Sequence, residues 1–309
     1  MMKLTRRIRA KSHTFNRLCT IYTYYYHKSL RPDQYPHALK QWFMRETGRD
    51  LDLEHPKTYN EKIQWMKLYD STQVKADLSD KYVVREWVKD TIGEQYLIPL
   101  LGVWNKFDDI DFDKLPNQFV LKANHGSTWN IIVPDKSKLN ITSARRKMNR
   151  WLKTDFAFVE GFQLHYSLID RKIIAEEFIE NNGNNLYDYK IHCFNGTPQC
   201  IEYIGNRSSS PREIYMTTDW KPFPYYDGVF PLFDELPPVP LCLNKLIELA
   251  ATLSSGFNYV RCDFYVLDNG DIRFGEMTFT PGSGKYIWQP DPIKGDEYMG
   301  SLLELPIKS

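Results

Sequence analysis

Two acids and an arginine near the C-terminal end have the spacing of a ligand-binding group. The stretch Gly256 to Gly284, GFNYVRCDFYVLDNGDIRFGEMTFTPGSG, holds two alternating runs, Tyr259 to Leu267 and Ile272 to Phe279, around Asn269-Gly270. That pair tolerates positive φ and predicts a two-residue type I′ hairpin turn. With Asp268 paired to Asp271, Asp263 falls opposite Glu276 and Arg261 opposite Thr278. Cross-strand partners on one face have Cβ atoms about 5 Å apart, and like charges there destabilise a sheet by a few tenths of a kcal/mol. A divalent cation shared by the carboxylates removes that repulsion, and Arg261 on the same face adds an anion contact. Phosphate bound through magnesium meets both conditions. A solvated hairpin face with two unrelated acids is the plain alternative. The turn that follows, from Thr278 through Thr280 and Pro281 to Gly282, Ser283 and Gly284, weighs against it, because such a turn aims backbone N–H groups at an oxyanion.

A second group lies in FVLKANHGSTWNIIV, Phe119 to Val133. Two β-rich runs bracket a loop of His125, Gly126, Ser127 and Thr128, with Lys122 ending the first run. Small residues let backbone N–H groups approach phosphate, and a strand-borne lysine supplies charge to its oxygens. The spacing is not that of a Walker A loop, and a plain hairpin with a Gly-Ser turn has the same pattern. Further along, Tyr187 to Tyr203 reads as a hairpin turning at Asn195-Gly196. Its alternation puts Asp188, Lys190 and His192 on one face and Tyr189, Ile191 and Cys193 on the other.

The run R-x-D, a hairpin, then E-M-T-F-T-P-G-S-G resembles the metal-binding end of ATP-grasp ligases, commonly R-x-D followed by E-x-N-x-x-P-G. Thr278 stands where that pattern has a metal-binding Asn. With the Phe119–Val133 segment, the chain resembles the TupA-like branch, associated with surface-polysaccharide and teichuronopeptide assembly. The resemblance runs from about His55 to the end. It implies an α+β ATP-grasp fold in which two α+β lobes enclose ATP, preceded by a helical lobe. It also implies ATP and Mg2+ as cofactors. Asp263, Glu276 and Thr278 would hold the metal, and Lys81, Lys122, His125, Gly126 and Ser127 the phosphates. The segment Ile173 to Ile179 (IIAEEFI) would supply the adenine hinge through Glu176, Glu177 and Ile179, and Asp188 would meet the ribose. Edge-strand charges are the alternative for the two glutamates, and a solvated helix start for Lys81. Arg261, Lys190 and Ser283 are the expected catalytic residues.

These groups need a scaffold, and the composition provides for one. Of 309 residues, 42% are hydrophobic and 15% aromatic, enough for a buried core. A net charge of +1 offers no global attraction to nucleic acid. Cys19, Cys193, Cys200, Cys242 and Cys262 are odd in number and lack a CxxC, which argues against a disulfide framework or zinc site. No apolar run approaches the roughly 18 residues that span a bilayer, and no signal-peptide core follows the basic start, so the expectation is a cytoplasmic protein. Residues 1 to 30 carry seven basic residues and no acid. This arm suits peripheral contact with an anionic membrane or glycan, or packs as a helix on the body.

Helices are expected within His55 to Asp70, Ser79 to Asp90, Thr142 to Thr154 and Leu241 to Leu253, the last behind the metal hairpin. Pro222 to Pro240 reads as a Pro-rich surface excursion, and Asn206 to Arg212 as a candidate loop for the variable substrate. Leu115-Pro116 suggests a lobe boundary. The expected organisation is an arm (1–50), a helical lobe (51–117), a small lobe with phosphate loop and hinge (118–185) and a C-terminal lobe with the metal site (186–309). The expected reaction joins an amino acid or other amine to a carboxylate-bearing glycan through an acylphosphate. A sugar phosphotransferase, a metal-dependent glycosyltransferase and a polysaccharide-binding scaffold remain as rivals.

Overall fold

The computed structural model describes residues 13–179, 186–206 and 210–306. Lys3, Arg6, Arg7, Arg9 and Lys11 of the basic arm lie outside them, as do residues 207–209 of the candidate substrate loop. The described part of the arm is helix α1 (His13–Ser29). It packs on the body: the buried His27 ring stacks on Phe162 at 4.4 Å, and the Tyr24 hydroxyl accepts the Asp155 amide.

Helices α2 (Tyr35–Thr47), α3 (Tyr59–Tyr69), α4 (Gln73–Ser79) and α5 (Val84–Thr91) follow. Thr58 caps α3 by accepting the Glu61 amide while Glu61 accepts the Thr58 amide, the reciprocal box that the T-x-x-E spacing predicts. The helix expected within Ser79 to Asp90 is α5; Ser79 still belongs to α4, Asp80 accepts the amides of Tyr82 and Val83 in the turn between them, and α5 starts only at Val84.

A four-stranded antiparallel sheet has the order β1-β4-β2-β3, from β1 (Leu100–Trp104), β2 (Phe119–Ala123), β3 (Asn130–Val133) and β4 (Ile173–Glu177). β1 precedes Leu115-Pro116 yet pairs with β4. Helix α6 (Ile141–Lys153) buries Ala144, Met148 and Trp151 in a core with Phe119 and Leu121, and its basic side chains face outward.

The second sheet is five-stranded and antiparallel, ordered β7-β6-β5-β8-β9: β5 (Tyr187–Phe194), β6 (Thr197–Gly205), β7 (Arg212–Thr217), β8 (Tyr259–Val266) and β9 (Ile272–Thr278). Period-two alternation gives it two unlike faces. Ile191, Cys193, Val260, Cys262 and Phe264 pack with Leu246, Leu249 and Leu253 of α7 (Leu243–Ser254). The opposite face is polar. Direct partners run in one row across all five strands: Tyr215, Glu202, Lys190, Asp263, Glu276. A shorter row beside it joins His192, Arg261 and Thr278.

The β8–β9 pairing places Asp263 opposite Glu276 and Arg261 opposite Thr278, as expected, but by a different route. The Leu267 amide bonds to the Asp271 carbonyl, so the loop has three residues, Asp268 to Gly270. Next to the loop, Val266 pairs with Ile272 and Phe264 with Phe274, one residue out of the expected register. A bulge between Asp263 and Phe264 then takes up Gly275 and restores it. A Cβ on Gly275 would stand 2.9 Å from the Asp263 carbonyl oxygen, so the bulge requires glycine. The β5–β6 turn falls at Asn195-Gly196 as expected, with Asn195 at φ 50° and Gly196 at φ 75°. Helix α8 (Pro292–Ser301) completes the fold.

Candidate active site

The polar face of the five-stranded sheet lines a cavity of about 500 Å³. Asp188, Lys190, Arg261, Asp263, Glu276 and Thr278 come from that sheet, Lys81 from the α4–α5 junction, Lys122 and Ser127 from the β2–β3 hairpin, and Ser283 from the Gly-rich turn. Thus the fold brings together ten of the residues selected from sequence.

Arg261 clasps Asp263 two residues along the same strand, Nε donating to Oδ1 and Nη2 to Oδ2, each at 2.7 Å. Burial pushes Asp263 up to about 6 against the pull of that guanidinium, with the Glu276 charge adding to the rise. Burial acts on Glu276 in the same direction, yet Lys81, Arg261, the Thr278 hydroxyl and Lys122 together bring it down to about 2. Thr278 Oγ1 donates to Glu276 Oε1 at 3.1 Å. Asp263 and Glu276 are the pair suited to a divalent cation: facing carboxylates on adjacent strands, open to the cavity and ionised or nearly so at neutral pH.

Lys81 connects the two sheets. Its Nζ donates to the Gly126 carbonyl at 2.8 Å and lies 3.4 Å from Glu276 Oε2. Lys122 pairs with Glu176 across β2 and β4, and Arg85 Nη1 donates to the same carboxylate at 3.1 Å. Lys190 donates to Glu202 at 2.7 Å.

Five of the selected residues stand off the cavity wall. His125 is fully buried, and its Nε2 meets the carbonyls of Trp151 at 3.1 Å and Thr154 at 3.3 Å, so the ring ties the loop to α6. Carbonyls only accept, which fixes Nε2 as the protonated nitrogen. Gly126 is buried, and its carbonyl accepts from Lys81. The Glu176 carboxylate is engaged by Lys122 and Arg85, and the Glu177 amide by the Pro99 carbonyl at 3.0 Å. Ile179 is half-buried beyond the end of β4.

Some residues at the site gave no usable sequence signal. Lys67 of α3 is completely buried, and burial drives its pKa well below the ordinary lysine value. Its Nζ donates to Ser283 at both the carbonyl, 2.6 Å, and Oγ, 2.7 Å, and sits 4.6 Å over the Trp42 ring. Gln64 Nε2 donates to the carbonyls of Ser283 and Gly284. Ser283 Oγ donates to the Glu160 carbonyl, and Thr280 Oγ1 to Gln163 Oε1. The turn is therefore fixed in shape, with Gly282 and Ser283 at φ 54° and 55°.

Among the described residues no helix is long and apolar enough to cross a membrane. No curated protein matches the sequence. Solved structures with a similar course of chain include the ATP-grasp ligase PsnB with its minimal precursor, Mg and ADP (11% identity, 68% of this chain and 53% of that one, TM-score 0.37). An L-amino acid ligase from Bacillus licheniformis gives 18% identity, 69% and 45% coverage and a TM-score of 0.41. An N5-carboxyaminoimidazole synthetase from Staphylococcus aureus complexed with ADP gives 13%, 81% and 60%, and 0.41. This chain thus spans 45% to 60% of the length of these three structures. The family model for TupA-like ATP-grasp proteins matches residues 61–304, which include both sheets, the Gly-rich turn and the Lys81, Lys122, Asp263 and Glu276 positions. The chain belongs to the TupA-like ATP-grasp family.

Proposed function

We propose that the protein is an ATP-dependent carboxylate–amine ligase, and that its carboxylate is a uronic-acid group of a surface polysaccharide or its precursor. The reading rests on one observation: Arg261, Lys190, Lys81 and Lys122 converge with two facing carboxylates on a single cavity between the two sheets. That is the electrostatic arrangement phosphoryl transfer to a carboxylate requires, since two anions must be held within reach of each other.

In this scheme Lys122 and Lys81 hold phosphate oxygens from the small-sheet side, and Arg261 and Lys190 hold the acceptor carboxylate on the other. Asp263 and Glu276 would hold magnesium, which when bound draws charge from the γ-phosphate. The Thr278 hydroxyl orients Glu276. Attack by the carboxylate oxygen on the γ-phosphorus breaks the bond to ADP and gives an acylphosphate. An amine then adds to its carbonyl carbon, phosphate leaves, and the amine loses a proton as the amide forms. Asp188, buried on the cavity wall, is suited to a ribose hydroxyl. ATP, an amine such as an amino acid and the glycan carboxylate are the partners in this reading.

Hydroxylamine tests it without knowledge of the natural amine. Incubation with ATP, magnesium, a uronate-bearing glycan and hydroxylamine is expected to yield ADP, phosphate and a glycan hydroxamate. ADP with a stable phosphorylated sugar and no hydroxamate would move the assignment to a phosphotransferase, and AMP as product would overturn the mechanism.

A further inference from the structure

The polar face of the five-stranded sheet carries a second acidic cluster, away from the cavity wall. Glu202 on β6, Glu213 on β7 and Asp227 from the Pro222–Pro240 excursion bring one carboxylate oxygen each within 4.8 Å of one another, and all three are buried. Lys190 takes one oxygen of Glu202. The other Glu202 oxygen and both oxygens of Glu213 have no hydrogen bond of normal geometry, although the Glu213 carboxylate lies near the Phe230 backbone amide and the Asp227 carboxylate.

Two further groups converge on the same spot. His192 is 0% exposed, and its Nε2, without a hydrogen-bond partner, stands 3.6 Å from Glu202 Oε2. Tyr215, 1% exposed, lies directly opposite Glu202 in the β6–β7 register, and its hydroxyl, also unpartnered, feels the charges of Glu202 and Asp227. An unpartnered buried polar group destabilises a fold, and an uncompensated buried charge does so far more. Several of them gathered at one point describe a ligand shell. Two oxygens on one ion lie at most twice the metal–oxygen distance apart, about 4.6 to 5.2 Å for calcium, and the cluster falls inside that limit. With all three acids ionised, three carboxylates less Lys190 leave two negative charges for a divalent ion to cancel; burial and Asp227 push Glu213 up to about 8, so the ion would displace a proton from it.

We propose that Glu202, Glu213 and Asp227 form a second cation site, which takes one hard divalent ion, calcium or manganese, and clamps the Pro222–Pro240 excursion onto β6 and β7. All-carboxylate ligation selects hard cations. Magnesium fits less well, because it gives up its waters reluctantly and this site is closed to solvent. The site shares no carboxylate with the Asp263–Glu276 pair.

The test uses the full chain without nucleotide, stripped with chelator, dialysed against Mn2+ or Ca2+ and analysed by elemental mass spectrometry beside thermal unfolding. One retained equivalent is expected, with a rise in unfolding temperature of about 5 °C at saturation. Glu213→Gln and Asp227→Asn should each drop retention to less than a tenth of an equivalent, and Glu276→Gln should keep it. If either cluster variant fails to fold, retention by Glu276→Gln alone still separates this site from the cavity pair. No retained ion in the wild type, or loss of the ion in Glu276→Gln, overturns the proposal. So does an unfolding temperature that does not rise when Mn2+ or Ca2+ is restored to the stripped wild type, since a proton shared among the acids would then hold the cluster.

Discussion

Lys67 and Ser283, on α3 and the Gly-rich turn, are both buried and bonded to each other: the lysine Nζ donates to the serine carbonyl at 2.6 Å and to its hydroxyl at 2.7 Å. The N-terminal helices therefore set the shape of the turn that closes the cavity.

Lys67→Met keeps most of the side-chain volume and removes those bonds. It should destabilise the protein by about 2 kcal/mol, the range for losing two or more buried hydrogen bonds while part of the desolvation penalty is relieved. Urea unfolding measures this. Substrate turnover should fall further than stability accounts for, because Ser283 lines the cavity. An unchanged urea midpoint would show that the turn holds its shape without the lysine.

Gly275 is the second structural dependency. With the Asp263 carbonyl 2.9 Å from a built Cβ, Gly275→Ala must shift backbone rather than a side chain. A cost of about 1 to 3 kcal/mol is expected. The bulge sets whether Glu276 faces Asp263, so magnesium-dependent ATP hydrolysis or ligation should fall together with stability. Full activity in the alanine variant would mean that the register tolerates the displaced bulge.

This hairpin shows how far the sequence was legible. Asn195-Gly196 and Asn269-Gly270 look alike as dipeptides, yet only the first has both residues at positive φ. The second makes a three-residue loop, and the bulge at Gly275 compensates for it. The opposition of Asp263 and Glu276 was foreseen because two departures from the expected hairpin cancel. Alternation on β5 was readable because Ile191 and Cys193 bury against α7 while Lys190 faces polar groups. Glu160, Gln163 and His165 lie in a segment of short 3-10 turns, which has no lasting period to detect. Lys67 was hidden for another reason: a lysine in an amphipathic helix looks solvated, and only the tertiary fold places Ser283 over it. His125 was likewise read as a loop residue, but packing against α6 buries it completely.

The two metal-pair variants should differ in stability. Glu276 is partly exposed and shared with Lys81, so Glu276→Gln should abolish turnover at a smaller cost in stability than Asp263→Asn. Asp263 is the bidentate partner of a buried arginine, and Asp263→Asn leaves Arg261 with a neutral amide, one hydrogen bond and two facing donors where the other stood. Removing one member of a buried ion pair costs about 3 to 5 kcal/mol when the remaining charge is uncompensated. Relief of the Asp263–Glu276 repulsion offsets only a part of that. Denaturant titration of both variants is the measurement, and equal midpoints would mean that Arg261 finds another partner.

Acid should weaken the fold through its buried histidines. Burial lowers His27 and His125 to about 4 and His165 to about 3. Each folded-state value lies below the ordinary 6.5, so the unfolded chain binds protons that the native chain excludes. The stabilisation is complete above pH 6.5 and is lost as pH falls through the folded values, by about 1.4 kcal/mol per pH unit for each proton. Asp263, raised to about 6, works in the opposite direction over part of that range, so the clearest reading is a difference between two proteins. His165→Phe removes one titrating ring beside Tyr166 and Phe279 and leaves the other groups in place. Between pH 6 and 3 the unfolding free energy of the wild type should fall more steeply than that of His165→Phe, by up to about 1.4 kcal/mol per pH unit. Parallel slopes would mean that His165 takes up its proton within the native fold.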